Sequence, residues 1–160
     1  MQDIHIVEAD LQRTDHQKTT LELIDAYSED AMGDGKPLAP NVRATLIDGL
    51  RGHPTTIVFL AYDKDLPVGI AVCFRGFSTF AARPLINIHD LHVRPSHQRR
   101  GIAKALIAAV EAKARHIGCC KLSLEVQENN QRARSTYAAA GFAQRQLQQI
   151  PLLSMRQLLS

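Results

Sequence analysis

Ile4–Ala9 alternates apolar and polar positions and predicts a short strand. Thr14, with Gln17 three residues on, has the spacing of a capping box. It opens a helical pattern in which Leu21, Ile24 and Tyr27 share a face. The Gly- and Pro-containing stretch "DAMGDGKPLAP" then predicts a loop, placed between two helices where it could move on the substrate side. Val42, Leu46, Ile47 and Leu50 mark the second helix, stopped by Gly52 and Pro54. Thr55–Asp63 is rich in β-branched residues and predicts a buried strand. "DKDLP" turns the chain into a returning antiparallel strand, Val68–Phe77, and Pro84–Val93 follows as another, ended by Pro95. Ile102, Leu106, Val110 and Ile117 recur at helical spacing, with Gly118 as the stop. Lys121–Val126 alternates as a strand, Asn130–Ala140 predicts a short Ala-rich helix ended by Gly141, and two last strands fall near Phe142–Leu147 and Leu152–Leu158.

The resulting order, β-α-α-β-β-β-α-β-α-β-β, predicts an α/β (α+β) chain with a mixed, mostly antiparallel central sheet. The strands from Pro84 and from Lys121 flank a long helix, and that crossover makes them a parallel, right-handed pair. No repeat or low-complexity linker divides the chain, and 160 residues predict a single domain over 1–160. With no Trp and few aromatics, aliphatic side chains and Ala must fill the core.

The formal charge of +3 is too small for a dense nucleic-acid-binding face. Three cysteines, Cys73, Cys119 and Cys120, make no disulfide framework or zinc spacing and fit a reduced, cytoplasmic setting. The adjacent Cys119–Cys120 pair reads as two small buried side chains rather than a redox couple. The seven histidines are scattered, so no metal site is expected. The N-terminus lacks the features of a signal peptide. No apolar run approaches the roughly 18 residues of a membrane span.

"SHQRRGIAKALI" (Ser96–Ile107) puts Arg99, Arg100 and Gly101 at the mouth of a helix. Positive charge there opposes the helix dipole, at a cost of a few tenths of a kcal/mol per residue, unless an anion offsets it. First-turn N–H groups lack partners and can bind a phosphate. Gly101 and Ala103 keep the approach narrow in side chains, and Arg99, Arg100 and Lys104 surround it. The competing reading is a solvated basic helix start. Gly101 stands alone, so neither a Walker loop nor a dinucleotide-binding glycine loop is present.

"QRRGIA" (Gln98–Ala103) resembles the Q/R-x-x-G-x-G/A signature of the GNAT superfamily of acyl-CoA-dependent N-acyltransferases. Its context strengthens the likeness: "DLHVRPSHQRRG", then a helix, then "LSLEV", then "NNQRARSTYAAAGF". The last stretch resembles the N-x-x-A-x-x-x-Y-x-x-x-G-F pattern, with Asn130, Ala133, Tyr137, Gly141 and Phe142 in register. The likeness is strong over Leu85–Phe142 and weak before residue 55. It implies the GNAT fold and acetyl-CoA as co-substrate. The backbone of Gln98, Arg99, Arg100, Gly101, Ile102, Ala103 and Lys104 would hold the pyrophosphate. The strand edge at Leu91, His92 and Val93 would pair with the pantetheine arm, and Asn130 and Tyr137 would contact the cofactor. Tyr137 holds the position of the usual general acid, and a phenol, neutral near pH 7, can protonate a leaving thiolate. Arg134 and Thr136 stand where apolar residues are usual, which predicts a less buried helix.

For the base, His89 is the first candidate because an imidazole titrates near neutral pH. Asp90, His92, Glu125 and water are the alternatives. Simple alternation puts His89 with Leu91 and Val93 on one face and Asp90 with His92 on the other, unless a bulge interrupts the strand. "FSTFAARPLINIHDLHV" also resembles polyamine-type members, but His89 replaces the acidic residue usual there, so polyamine specificity does not carry over directly. The acceptor pocket is expected from residues 27–40, 74–84 and the C-terminal strands. The apolar and basic "FRGFSTFAARP" does not advertise a strongly cationic acceptor. The expected function is transfer of acetyl from acetyl-CoA to a primary amine of a small molecule, with no nucleic-acid or membrane partner and a homodimer as the expected oligomer. The alternatives are a non-catalytic CoA- or anion-binding module on the same fold, or an acetyltransferase acting on a protein amine.

Overall fold

Lys64 and Asp65 form a tight turn that pairs Asp63 with Leu66 and joins two neighbouring strands of the sheet. A computed structural model describes residues 3–127, 129–146 and 152–158. Its strands are β1 (Ile4–Glu8), β2 (Thr56–Asp63), β3 (Leu66–Ser78), β4 (Arg83–Val93), β5 (Lys121–Gln127), β6 (Ala143–Gln146) and β7 (Leu152–Leu158). They form one sheet in the order β1-β2-β3-β4-β5-β7-β6. All neighbours are antiparallel except β4 and β5, which are parallel as the crossover requires. Leu147, expected in the penultimate strand, lies outside the described residues.

Alternation along the strands builds two cores. Val58, Leu60, Ile70 and Val72 meet Leu23 of α1 (Thr14–Glu29) and Leu50 of α2 (Pro40–Gly52). On the opposite face Phe59, Ala71, Cys73, Ile86 and Ile88 meet Ile102, Leu106, Ile107 and Val110 of α3 (Ile102–His116). The fourth helix, α4 (Gln131–Ala139), adds Tyr137 to this second core. α3 lies so close to β3 that a Cβ on Gly69 would sit 3.2 Å from Leu106 Cδ1. Among the described residues no helix is long and apolar enough to cross a membrane.

Two local expectations change. Thr14 and Gln17 form no capping box. Thr14 is already helical, Arg13 holds the N-cap position without a side-chain cap bond, and Gln17 Nε2 donates to Leu11 O at 2.8 Å. The buried stripe of α1 runs through His16, Thr20 and Leu23, so Tyr27, one turn further, continues it toward the sheet, while Leu21 lies off it. The loop after α1 is tied back to that helix. Asp25 Oδ1 accepts from Leu38 N at 2.9 Å, and Ser28 Oγ donates to Lys36 O at 2.8 Å.

The ends of α3 and α4 share one geometry. Gly118 takes φ 80°, its N–H donates to Arg115 O at 3.2 Å, and Cys119 N donates to Ala114 O at 2.8 Å. This Schellman closure stops α3 where the sequence places its glycine. Cys119 is then buried and Cys120 half-buried, both as free thiols, and burial pushes the Cys119 thiol up.

Leu106 is fully buried at the centre of the α3 interface. Leu106→Ala is expected to destabilise the fold by about 2–5 kcal/mol, measured by urea denaturation. A loss under about 1 kcal/mol would contradict this packing.

Candidate active site

The site begins with an irregularity in β4. Val72 pairs with Asp90 and Cys73 with Ile88, which leaves His89 as the extra residue of a β-bulge. Pairing of β4 with β5 covers only Ile86–Ile88 against Leu122–Leu124 and stops at that point. Beyond it the bulge resets the alternation. Leu91 and Val93 face the α3 core. His92 pairs with Ile70 and stacks against Tyr27 on the α1 side. His89 therefore does not share a face with Leu91 by simple alternation. It is exposed, with its ring edge-on to Phe74 at 5.6 Å between centroids.

Where β4 and β5 part, a cavity of about 1020 Å³ opens. All the residues singled out from the sequence, from His89 and Leu91 to Asn130 and Tyr137, line it, except Arg100, which is exposed on the turn. Of the other candidates for a base, Glu125 lines the cavity and Asp90 does not. Of the segments expected on the acceptor side, Tyr27, Asp30 and Met32 line the cavity, and no residue from 74–84 reaches it. That hairpin lies beyond the paired end of β4, away from the splay, with Phe77 and Phe80 exposed at its tip. Side chains of the C-terminal strands lie outside the described residues. Arg132 and Thr136 line the cavity without having been singled out as site residues. They stand four residues apart, so they share one face of a helix whose only buried residue is Tyr137.

The turn before α3 leaves the first backbone donors of the helix uncapped. Arg99 has φ 64°, and Gly101, the N-cap residue, has φ 79° and brings no side chain to cap the helix. The first intrahelical bond is Ala105 N to Gly101 O at 3.0 Å, so the N–H groups of Ile102, Ala103 and Lys104 precede it. A Cβ on Gly101 would meet nothing within 4 Å, so the glycine is demanded by its backbone conformation rather than by crowding inside the protein. The space before it is open.

This turn is anchored to the β2–β3 hairpin. Arg94 N donates to Val68 O at 2.8 Å, and Arg94 Nε donates to Pro67 O at 2.9 Å. His97, in a 3-10 turn over Pro95–His97, places Nε2 3.0 Å from Asp63 Oδ2 and Nδ1 2.7 Å from Ser96 Oγ. A carboxylate only accepts, so His97 Nε2 carries the proton, and this bond holds the Asp63 carboxyl below its ordinary range. Gln98 Nε2 donates to Val93 O at 3.0 Å, while Gln98 Oε1 accepts from Arg132 Nη1, joining the end of β4 to α4.

α4 is framed at both ends by the motif read in the sequence. Asn130 is its N-cap, and Asn130 Oδ1 accepts from Ala133 N at 3.2 Å. Gly141, at φ 93°, donates to Ala138 O, and Phe142 N donates to Tyr137 O at 3.0 Å. The Phe142 and Tyr137 rings lie 6.0 Å apart, completing a Schellman end with its apolar contact. Asn130 thus holds the helix, with its carbonyl oxygen already engaged, and Tyr137 is fixed over the cavity at 8% exposure. Burial, and then Tyr27, push the Tyr137 phenol well above its ordinary range, so it stays protonated at neutral pH.

Opposite Tyr137, burial raises Tyr27, and the nearby Asp90 and Asp30 raise it further. His92 is 6% exposed, with its ring centroid 5.2 Å from that of Tyr27 and its buried Nε2 without a hydrogen-bond partner among the described residues. Burial pushes His92 below the ordinary imidazole value, which keeps the ring neutral.

Comparison with known proteins bears on the family and the fold. The sequence profile of the acetyltransferase (GNAT) family matches residues 20–142. A thialysine N-epsilon-acetyltransferase from Bos taurus is 34% identical over 74 residues, 46% of this chain and 43% of that protein. The chain therefore aligns with less than half the length of this curated relative. The crystal structure of an aminoglycoside acetyltransferase from an uncultured soil metagenomic sample, in complex with sisomicin, superposes with a TM-score of 0.76 at 20% identity, covering 92% of this chain and 93% of that one. The NatC complex bound to Gag peptide and CoA includes a chain that matches with a TM-score of 0.71 at 21% identity, over 99% of both chains. At these identities the structures show a shared fold.

The Asp63 carboxyl is depressed in the folded state, so its contribution to stability is present above the ordinary carboxylate value of about 3.9 and is lost as pH falls through the folded value. The stability difference between wild type and Asp63→Asn is therefore expected to be full at neutral pH and to shrink below about pH 4. Denaturant melts across that range measure it, and an equal difference at every pH would contradict the His97–Asp63 assignment.

Proposed function

The chain belongs to the acetyltransferase (GNAT) family, and on that premise we propose that it transfers the acetyl group of acetyl-CoA to a primary amine of a small molecule. One observation carries the reading. The uncapped N-terminus of α3, the unpaired edge of β4 and the buried phenol of Tyr137 all open onto one cavity.

The residues fit the co-substrate. The N–H groups of Ile102, Ala103 and Lys104 would donate to the pyrophosphate oxygens, with Arg99 and Lys104 adding charge. The edge of β4 at Leu91–Val93 would pair with the amide-bearing arm as an added strand. A backbone N–H near Leu91 would polarise the thioester carbonyl. Acetyl-CoA supplies the activated acyl group. Tyr137 gives its proton to the departing sulfur, and His89, exposed at the bulge and lining the cavity, takes the proton from the attacking amine. His89 borders solvent and passes that proton to water, and water returns a proton to the Tyr137 phenolate.

The relatives are consistent with an amine acceptor, since by their names they act on thialysine and on aminoglycosides. A panel of amines with acetyl-CoA, followed by release of free thiol, tests the reaction. Tyr137→Phe is expected to lower kcat by about 10²–10⁴ while acetyl-CoA still binds. Gly101→Glu places a carboxylate at the cradle and is expected to abolish acetyl-CoA binding in calorimetry. Binding of acetyl-CoA without thiol release for any amine would leave only a binding module.

A further inference from the structure

The turn before α3 carries a row of side chains that the acetyl transfer does not use. Ser96 Oγ stands 2.7 Å from His97 Nδ1, and His97 Nε2 stands 3.0 Å from Asp63 Oδ2. Nε2 carries the ring proton and donates it to the carboxylate, so Nδ1 of the neutral ring has a free lone pair and accepts. Ser96 therefore donates its hydroxyl hydrogen to the imidazole. Hydroxyl, imidazole and carboxylate follow in the order that activates a serine, with the two ring nitrogens in exchanged places.

Each member has the setting its part requires. Ser96 is exposed, so an incoming carbonyl carbon can reach it. His97 is buried, and its ring is fixed through both nitrogens. Asp63 ends β2, and hydrogen bonds from His97 and from the backbone of Asp3 keep its carboxyl ionised. Anchoring accounts for only half of the row. The His97–Asp63 bond joins residues 34 apart and ties the turn to the hairpin, whereas the Ser96–His97 bond joins neighbours and ties nothing.

Ser96 also faces away from the acetyl-CoA cradle. It lines a second cavity, of about 420 Å³, with Ala26, Glu29, Asp30 and Arg94. No residue from Gln98 to Lys104 lines this cavity, and Ser96 does not line the larger one. Two carboxylates face one guanidinium there, and Arg94 Nε already donates to Pro67 O. That balance disfavours an anionic ligand.

We propose that Ser96 is a nucleophile, with His97 as its base and Asp63 positioning that base, and that it takes the acyl group of short, uncharged activated esters. Ser96 Oγ bonds to the carbonyl carbon, and the ester C–O bond breaks. The hydroxyl proton passes to His97 Nδ1 and from there to the departing oxygen, so the ring ends neutral with Nε2 still protonated. The products are an O-acyl serine and an alcohol. The step is separate from the acetyl transfer proposed above and does not depend on it.

The test incubates the full chain with p-nitrophenyl acetate and locates the adduct by peptide mass spectrometry. Acetyl on Ser96 is expected, removable by neutral hydroxylamine as an ester is, together with release of p-nitrophenolate. Ser96→Ala is expected to lower the initial release by about 10²-fold, the scale of base-assisted catalysis, with thermal unfolding unchanged. Asp63→Asn is expected to slow acylation of Ser96 comparably in protein that remains folded by circular dichroism. Adding Ser96→Cys to that variant is expected to restore acylation at position 96, because a thiol is a nucleophile without the base. The mono-p-nitrophenyl ester of succinic acid, with the same leaving group and an added carboxylate, is expected to acylate Ser96 more slowly. No adduct on Ser96, an equal release from Ser96→Ala, or an equal acylation rate in Asp63→Asn overturns the proposal. An equal or faster reaction with the succinate ester overturns the choice of an uncharged donor.

Discussion

Everything at the centre of this protein depends on β4 and β5 ceasing to pair after Ile88 and Leu124. Two strands that separate inside a sheet forfeit hydrogen bonds, yet each here stays attached on its other side. β4 remains paired to β3 as far as Val93, and β5 remains paired to β7 as far as Gln127. The loss is thus confined to one edge of each strand. The bulge at His89 brings the divergence about by inserting one residue into β4 without disturbing its bonding to β3 on either side. The backbone groups so exposed face a cavity large enough for a ligand to satisfy them.

Around that opening, stiffness is supplied from outside the cavity. The turn before α3 includes residues at positive φ, a conformation that costs energy for Arg99. It is held by bonds from Arg94, His97 and Gln98 to Pro67, Asp63 and Val93 of the sheet. α4 is too short to be stable alone. Its Asn130 cap, its glycine closure and the Phe142–Tyr137 contact set its length and orientation, so the phenol is aimed by helix ends rather than by a packed helix face.

Much of this was legible in the sequence because it rests on local chemistry. Strand alternation, the crossover that makes β4 and β5 parallel, and the stops at Gly118 and Gly141 depend on neighbouring residues alone. The Asn130–Phe142 pattern was legible as a motif, and the structure adds its physical content, a helix with both caps specified. What escaped depends on long-range registration. The bulge exists only relative to β3, and the face occupied by His89 could not be counted without it. Tyr27 and Asp30 reach the site through the packing of α1, whose buried stripe runs through His16 and the threonines rather than through Leu21. The Thr14–Gln17 pattern had the right spacing but the wrong starting point, because the turn at Asp10–Arg13 delivers the chain to the helix one residue earlier. Gly101 was placed correctly for a different reason, since its role follows from a dihedral angle that residue identity only permits.

The cavity takes its lining from both faces of the sheet. For a reaction with two substrates this is a statement about traffic. Neither reactant need vacate the passage for the other to enter, and the first product need not depart before the second substrate arrives. For the acetyl transfer proposed above, a site that holds both reactants at once would need no covalent relay of its own. Steady-state lines for such a scheme intersect instead of running parallel, and the single inserted residue at position 89 is what makes that order of events geometrically available.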